Sequence, residues 1–485
     1  MYFIYTLAGL CYNINTKLKG GKNMLNTYLA FELEPIIKAI NSVLWSKFLM
    51  YALLALGIFY TVYLGFPQIT KIGLAFKYAF GGMFKKKEKS EKKDGEVEVN
   101  SFQALATAIA AQVGTGNIGG VATAVASGGP GAIFWMWVSG ILGMSTIFAE
   151  AVLAQLYREE RDGEPVGGPS YYISKGLNSK VLAAIFSITI ILALGFVGNM
   201  VQSNSISLAM SNAINVNSLY IGIALAVLVG FVIMGGLKRI TTMAELVVPF
   251  MAVIYIIGAC FILYVYRHHL GLVFSGVFRE AFSTQAVVGG MAGTVMKEAI
   301  KNGVARGLFS NEAGMGSTPH AHATAKVKDP CMQGFVAMAG VVVDTIIICS
   351  ITALIVLATD AHMSGAKSVA ITQYAFSAAF GEPGSIFLAI SLMFFAFTTI
   401  VGWYMFGEMN IRYLFKGKTA INVYRVLVLI CIVVGSVFGS AIWDLADTFN
   451  GFMVIPNLIA LFLLAPQVKK AYKNYLNRKK AGELD

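Results

Sequence analysis

The stretch Gly114-Thr115-Gly116-Asn117-Ile118-Gly119 spells G-x-G-x-x-G, the spacing that holds a dinucleotide pyrophosphate at the start of a helix. A dinucleotide site also requires a buried strand before the glycines and an acidic residue about 20 positions after them, to hold the ribose. The preceding run, SFQALATAIAAQV, is rich in alanine and lacks the β-branched density of a strand. Near the expected acidic position the chain reads IFWMWV, and the first carboxylate beyond the motif is Glu150. The glycines therefore serve another chemistry. Glycine costs about 1 kcal/mol per residue inside a helix, so Gly114, Gly116, Gly119 and Gly120 favour opening a helix at this point. Opened backbone offers N–H groups to an anion and carbonyls to a cation. The alternative is close helix packing, because Gly116 and Gly120 also form a G-x-x-x-G pair.

A second polar stretch, GVARGLFSNEAGMGSTPHAHATAK (303–326), mixes glycines with Arg306, Ser310, Asn311 and Glu312. Glu312 reaches Arg306, six residues back, only if the helix breaks between them. His320 and His322 invite a proton-relay reading, but their place at the end of the stretch favours an interfacial role. Enzyme chemistry would need convergent His, Cys or paired carboxylates, and Glu150, Glu245, Glu298, Glu312, Asp344 and Glu408 share no motif. Cys11, Cys260, Cys331, Cys349 and Cys431 show no C-x-x-C spacing and read as core residues.

The elements that carry these residues follow from composition. The 485-residue chain is 57% hydrophobic and only 13% charged, against about 25% charged in soluble domains, and its mean hydropathy is +0.69. Lipid is the expected solvent. Apolar runs occupy 45–66, 102–126, 131–157, 179–210, 218–237, 242–266, 332–358, 384–412, 421–440 and 448–466, with the polar 284–318 between the sixth and seventh of these. The expectation is an all-α polytopic membrane protein of eleven helices. The two interruptions fall in the second and seventh spans, five apart. Broken helices at corresponding positions of two halves point to an inverted-repeat secondary transporter, with repeats at 102–266 and 284–466. The segment 45–66 would be an extra leading helix, 1–44 an N-terminal extension, 67–101 a basic loop and 467–485 a basic tail. Met24 is a second candidate start.

The formal net charge of +12 does not imply nucleic acid, because Lys and Arg cluster in short loops between apolar runs. Placing KKKEKSEKKD (85–94) in the cytoplasm puts Arg158/Arg161, Lys238/Arg239, Lys326/Lys328, Arg412/Lys416/Lys418 and the tail there too. The N-terminus is then outside and the C-terminus cytoplasmic, with Arg267 and Arg279 as the main exceptions. A lipid bilayer is the one macroscopic partner implied, and no obligate protein partner is.

VGTGNIGGVATAVASGGPGAIFWMW, GVARGLFSNEAGMGS and FFAFTTIVGWYMFGE (394–408) together closely resemble the alanine or glycine:cation symporter family, the sodium/alanine symporters. The resemblance covers roughly residues 40–470 and implies a leucine-transporter-type fold with sodium-driven uptake of alanine and glycine. A proton-coupled amino-acid transporter of the same fold is the nearest alternative, and a channel a more distant one. The resemblance further implies that backbone N–H groups of Thr115 and Gly116, in the segment ending at Asn117, receive the substrate carboxylate. A co-transported Na+ is implied between the carbonyls of Ala110, Val113 and Phe395 and the hydroxyls of Thr398 and Thr399. All-oxygen ligation of this kind suits a hard cation. Phe309 is expected as a pocket wall and Ser310 as a receiver of the substrate ammonium. Gln112, Gln202 and Trp403 complete the expected pocket, Trp403 capping the substrate side chain.

Overall fold

The computed structural model describes residues 34–81, 98–161, 163–282, 292–439 and 441–484. The choice between Met1 and Met24 lies outside them. Among the described residues eight helices are long and apolar enough to cross a bilayer. They are α1 (Glu34–Tyr63), α5 (Gly131–Leu156), α7 (Lys180–Ile214), α9 (Gly236–Val265), α13 (Pro330–Ala358), α15 (Glu382–Leu414), α16 (Lys418–Val437) and α17 (Ala441–Lys480). α8 (Ser218–Ile233) is apolar but shorter. Both interrupted spans are present as split helices: α3 (Ser101–Gln112) continues through a π-turn at Gly116–Gly120 into α4 (Val121–Gly128). Likewise α11 (Ala292–Asn311) stops before α12 (Pro319–Thr324). α3, α4 and α12 are each shorter than the roughly 20 residues needed to cross a bilayer, and α11, at 20 residues, carries too many polar groups to count as an apolar span.

Several boundaries differ from the sequence reading. The leading helix begins at Glu34 rather than at residue 45, so part of the expected extension is helical. The expected tail is a continuation of α17 to Lys480. Three short helices lie in stretches without a full apolar run: the amphipathic α2 (Ile72–Phe80) and α10 (Leu270–Ala281), and the apolar α14 (Val369–Phe380). α6 (Pro169–Gly176) and a two-stranded antiparallel hairpin, β1 (Glu159–Arg161) with β2 (Glu164–Val166), complete the architecture.

Local chemistry sets the ends that matter for the site. Asn100 caps α3 through a reciprocal pair: its Oδ1 accepts from Gln103 N at 2.8 Å, and Gln103 Oε1 accepts from Asn100 N at 3.1 Å. Asp329 caps α13 by accepting from Cys331 N at 2.9 Å, with Pro330 in the first turn. Arg478 near the end of α17 binds the same Asp329 at 2.8 Å, fastening the two helices. α11 lies against α5 without room for side chains: a Cβ on Gly307 would fall 2.0 Å from Ser139 Oγ, and one on Gly303 2.2 Å from the Ala132 carbonyl. In lipid, such close backbone contact supplies the dispersion energy that holds helices together.

Candidate substrate and cation site

The first break opens just after Gln112. Val113 is extended at φ −82°, ψ 91°, which turns the last carbonyls of α3 away from helical partners. Gly114 N donates to Asn117 Oδ1 at 3.0 Å, and Thr115 N donates to Gln202 Oε1 of α7 at 3.3 Å. Side chains thus occupy amides that the helix has released. A Cβ on Gly114 would lie 2.6 Å from Thr399 Oγ1 and 3.1 Å from Gln202 Oε1. Only glycine lets α15 and α7 approach the opened strand here.

Across that gap Thr399 Oγ1 lies 3.0 Å from the Ala110 carbonyl, 3.3 Å from the Val113 carbonyl and 3.0 Å from the Phe395 carbonyl. A hydroxyl has one hydrogen to donate, so at most one of these contacts is a full hydrogen bond. The remaining oxygens face one another in a fully buried nest. Four of the five expected cation ligands, Ala110, Val113, Phe395 and Thr399, therefore converge. Thr398 does not join them. Its hydroxyl donates back to the Phe395 carbonyl at 2.9 Å and meets Met251 Sδ at 3.5 Å, because adjacent residues on a helix point about 100° apart.

The second break is built by backbone conformation. Glu312, Gly314 and Gly316 all have positive φ, at 56°, 84° and 86°; at the two glycines this costs little. Glu150, deep in α5, satisfies the released amides: its carboxylate accepts from Gly314 N and Gly316 N, each at 2.9 Å. Asn457 of α17 donates to Glu150 at 2.7 Å and to the Gly314 carbonyl at 2.9 Å. The sequence reading missed Glu150 and Asn457. The available signal was a carboxylate in an otherwise apolar span, which is expensive in lipid and functional by default.

The two breaks touch each other. Gln112 Nε2 donates to the Asn311 carbonyl at 2.6 Å, and Asn117 Nδ2 donates to Ser310 Oγ at 3.0 Å. Asp344, in a π-turn of α13, accepts from Asn117 Nδ2, from Ser310 Oγ at 2.8 Å and from Thr345 Oγ1 at 2.7 Å. Asp344 had carried no role in the sequence reading. Here it ties both breaks to α13.

Gln112, Thr115, Gly116, Gln202, Phe309, Ser310 and Trp403 line one cleft between the breaks, α7 and α15. Asn117, fully buried, bonds behind the cleft wall. Trp403 Nε1 donates to Glu312 Oε1 at 3.0 Å, and Gly198 leaves room for the indole, since a Cβ there would lie 2.7 Å from its Cζ3. The expected Arg306–Glu312 pair is not formed. Trp403 and Ser317 hold Glu312 instead, while Arg306 lies over the Phe309 ring at 5.9 Å. α17 closes the far side with Trp443, Asp447 and Asn450, which sequence reasoning did not find. His320 and His322 are buried within the protein: Asn410 meets His320 at 2.8 Å and Gln333 meets His322 at 2.8 Å. No cluster of three or more His, Cys, Asp or Glu suited to a metal ion occurs among the described residues.

The model of the sodium:alanine symporter family matches residues 30–485. The probable sodium/glutamine symporter GlnT of Bacillus subtilis (strain 168) is 43% identical over 93% of this chain and 92% of its own length. The sodium/alanine symporter AgcS of Methanococcus maripaludis is 40% identical over 91% of this chain and 96% of its own. The crystal structure of MhsT in complex with L-phenylalanine superposes with a TM-score of 0.56 at 16% identity, covering 76% of this chain and 89% of that one. That likeness establishes the leucine-transporter-type fold. The chain is a multi-pass membrane transporter, not an enzyme, and it belongs to the sodium:alanine symporter family.

Proposed function

We propose that the protein carries out sodium-coupled uptake of small neutral amino acids, alanine and glycine, by alternating access across the cell membrane. One observation carries this reading: three backbone carbonyls gather around Thr399 Oγ1 within 3.3 Å at the edge of the amino-acid cleft. The Phe395 carbonyl already accepts from Thr398, but the single Thr399 hydrogen cannot serve the Ala110 and Val113 carbonyls together, whereas a dehydrated hard cation is coordinated by carbonyl and hydroxyl oxygens at once. The cation would draw the ends of α3 and α15 together, and Gly114, next to Val113, starts the strand that meets the substrate. Ion and substrate then stabilise one conformation jointly, which is the thermodynamic content of coupling.

The leading helix α1 and the two five-helix repeats, 102–266 and 284–466, would give eleven crossings: the eight long helices, α8 and the two split ones. The N-terminus is placed outside and the C-terminus in the cytoplasm. The relatives named above carry glutamine and alanine in their names, so likeness alone does not choose the side chain. Trp403 and Phe309 in the cleft wall favour a small one. Proton coupling is favoured instead by Glu150, Glu312 and Asp344, three buried acids that have no ion pair among the described residues.

Purified protein in liposomes separates the two. Alanine uptake driven by an inward sodium gradient at equal pH, and abolished by replacing sodium with choline, is the expected result. Uptake that follows a pH gradient in choline would establish the proton reading.

A further inference from the structure

We propose that Glu312 is the ammonium subsite of the cleft, the charged group that selects α-amino acids over their uncharged or hydroxy analogues. This rests on the amino-acid reading above and moves the ammonium away from Ser310. The Ser310 hydroxyl is already engaged, donating to Asp344 at 2.8 Å and accepting from Asn117 at 3.0 Å. Glu312 lines the cleft with Thr115, Gly116 and Trp403 and is only 3% exposed. Its carboxylate accepts from Trp403 Nε1 at 3.0 Å and from Ser317 Oγ. Two donors leave lone pairs free, since an ionised carboxylate has about four acceptor sites. Neither donor is charged, and Arg306 in the same cleft does not pair with Glu312. A buried carboxylate without a cation is costly, and the cation that arrives with the substrate is its ammonium.

A second observation points to a donor-rich ligand. Gln112 Oε1 and Asn450 Oδ1 have no hydrogen-bond partner, and both residues are buried in the cleft wall. Both orphaned atoms are acceptors. An ammonium carries three donors and no acceptor, so it complements what the cleft leaves unsatisfied. The left-handed backbone of Glu312 itself, at φ 56°, is strained for a non-glycine residue and is of the kind retained at ligand clamps.

The test compares L-alanine with L-lactate, in which a hydroxyl replaces the ammonium, by calorimetric titration of the detergent-solubilised full chain in sodium. Wild type should prefer alanine strongly. Glu312→Gln keeps an acceptor for Trp403 but removes the charge. It should weaken alanine on the order of 100-fold, the usual scale for losing one partner of a buried charge pair, and leave lactate unchanged or tighter. Glu312→Asp retains the charge on a shorter arm and should bind alanine less tightly while still preferring it over lactate. This second variant keeps the test decisive if the glutamine variant does not fold. An alanine-to-lactate preference in Glu312→Gln equal to wild type would overturn the ammonium role and leave the amino-acid reading intact. Loss of that preference in Glu312→Asp would overturn the role as well. Failure of wild type to bind alanine or glycine at all would overturn both.

Discussion

At the scale of single residues, the oxygen nest separates two neighbouring threonines that the sequence could not. Thr399 touches three carbonyls, whereas Thr398 bonds back to one and rests on a thioether. Thr399→Val should raise the sodium concentration for half-maximal alanine uptake by roughly ten-fold or more, the loss of one ligand being worth at least about 1.4 kcal/mol. Thr398→Val should shift it about three-fold or less. Equal shifts in the two variants would remove the nest from the account. The glycines make a second residue-scale test. Gly116 lines the cleft, and a Cβ there would meet nothing within 4 Å, so Gly116→Ala should fold normally yet lose substrate binding. Gly120→Ala places its methyl in ordinary contact with Arg306, 3.8 Å away, and should transport nearly as wild type. Wild-type affinity in Gly116→Ala would mean the substrate does not approach the opened strand. Trp403 is a third case. An extra methylene in an apolar pocket changes discrimination by only about 1–3 kcal/mol, so exclusion of leucine must rest on steric clash. Trp403→Ala should admit leucine and weaken alanine in the same titration. Leucine binding to wild type as tightly as alanine would contradict a small pocket.

At the scale of elements, the second break depends on Glu150 as its missing half. Two backbone amides and one side-chain amide converge on this carboxylate. Removing it leaves buried donors unsatisfied, at about 1–3 kcal/mol each. Glu150→Ala should therefore lower the midpoint of thermal unfolding in detergent markedly and abolish uptake. Glu150→Gln, which retains one acceptor oxygen, should lose less stability. A melting curve for Glu150→Ala that overlays wild type would show the break to be held by other groups. The breaks were legible in the sequence because glycine clusters and polar residues stand out against apolar spans. Glu150 was not, because its partners lie more than 150 residues away and a lone acid in a helix names no partner. The short helices α2, α10 and α14 lie outside the sequence's apolar runs for a related reason: each is only 9–12 residues long, too short to raise a span signal. His320 and His322 read as interfacial from their place at the end of the polar stretch. Their burial follows from partners on α15 and α13, Asn410 and Gln333, which local sequence does not reveal. The cleft was legible on the sides built from recognisable motifs, and the α17 wall was not, because Trp443 and Asp447 fall between the apolar runs 421–440 and 448–466 and Asn450 sits at the edge of the second.

At the scale of the whole molecule, the structure is asymmetric about the site. On one side the cleft reaches the first turns of α17, which α1 braces: Asn41 Nδ2 donates to the Asp444 carbonyl at 2.7 Å, and Trp45 Nε1 to the Asp447 carbonyl at 2.8 Å. Trp45 also packs on Phe309 at 6.0 Å between ring centres, so the leading helix bears on the cleft directly. On the other side the start of α3 and the segment after α12 are stitched together. Lys326 N donates to the Val99 carbonyl at 2.9 Å, and Gln155 donates to the carbonyls of His322 and Ala325 at 2.5 and 2.9 Å. Coupling follows if sodium and substrate favour the same conformational state. The most direct measurement is the dissociation constant of alanine for the wild-type chain, titrated across sodium concentrations at constant ionic strength. Affinity should rise with sodium and, by linkage, sodium should bind more tightly when alanine is present. An alanine affinity that is the same in sodium and in choline would contradict the coupling.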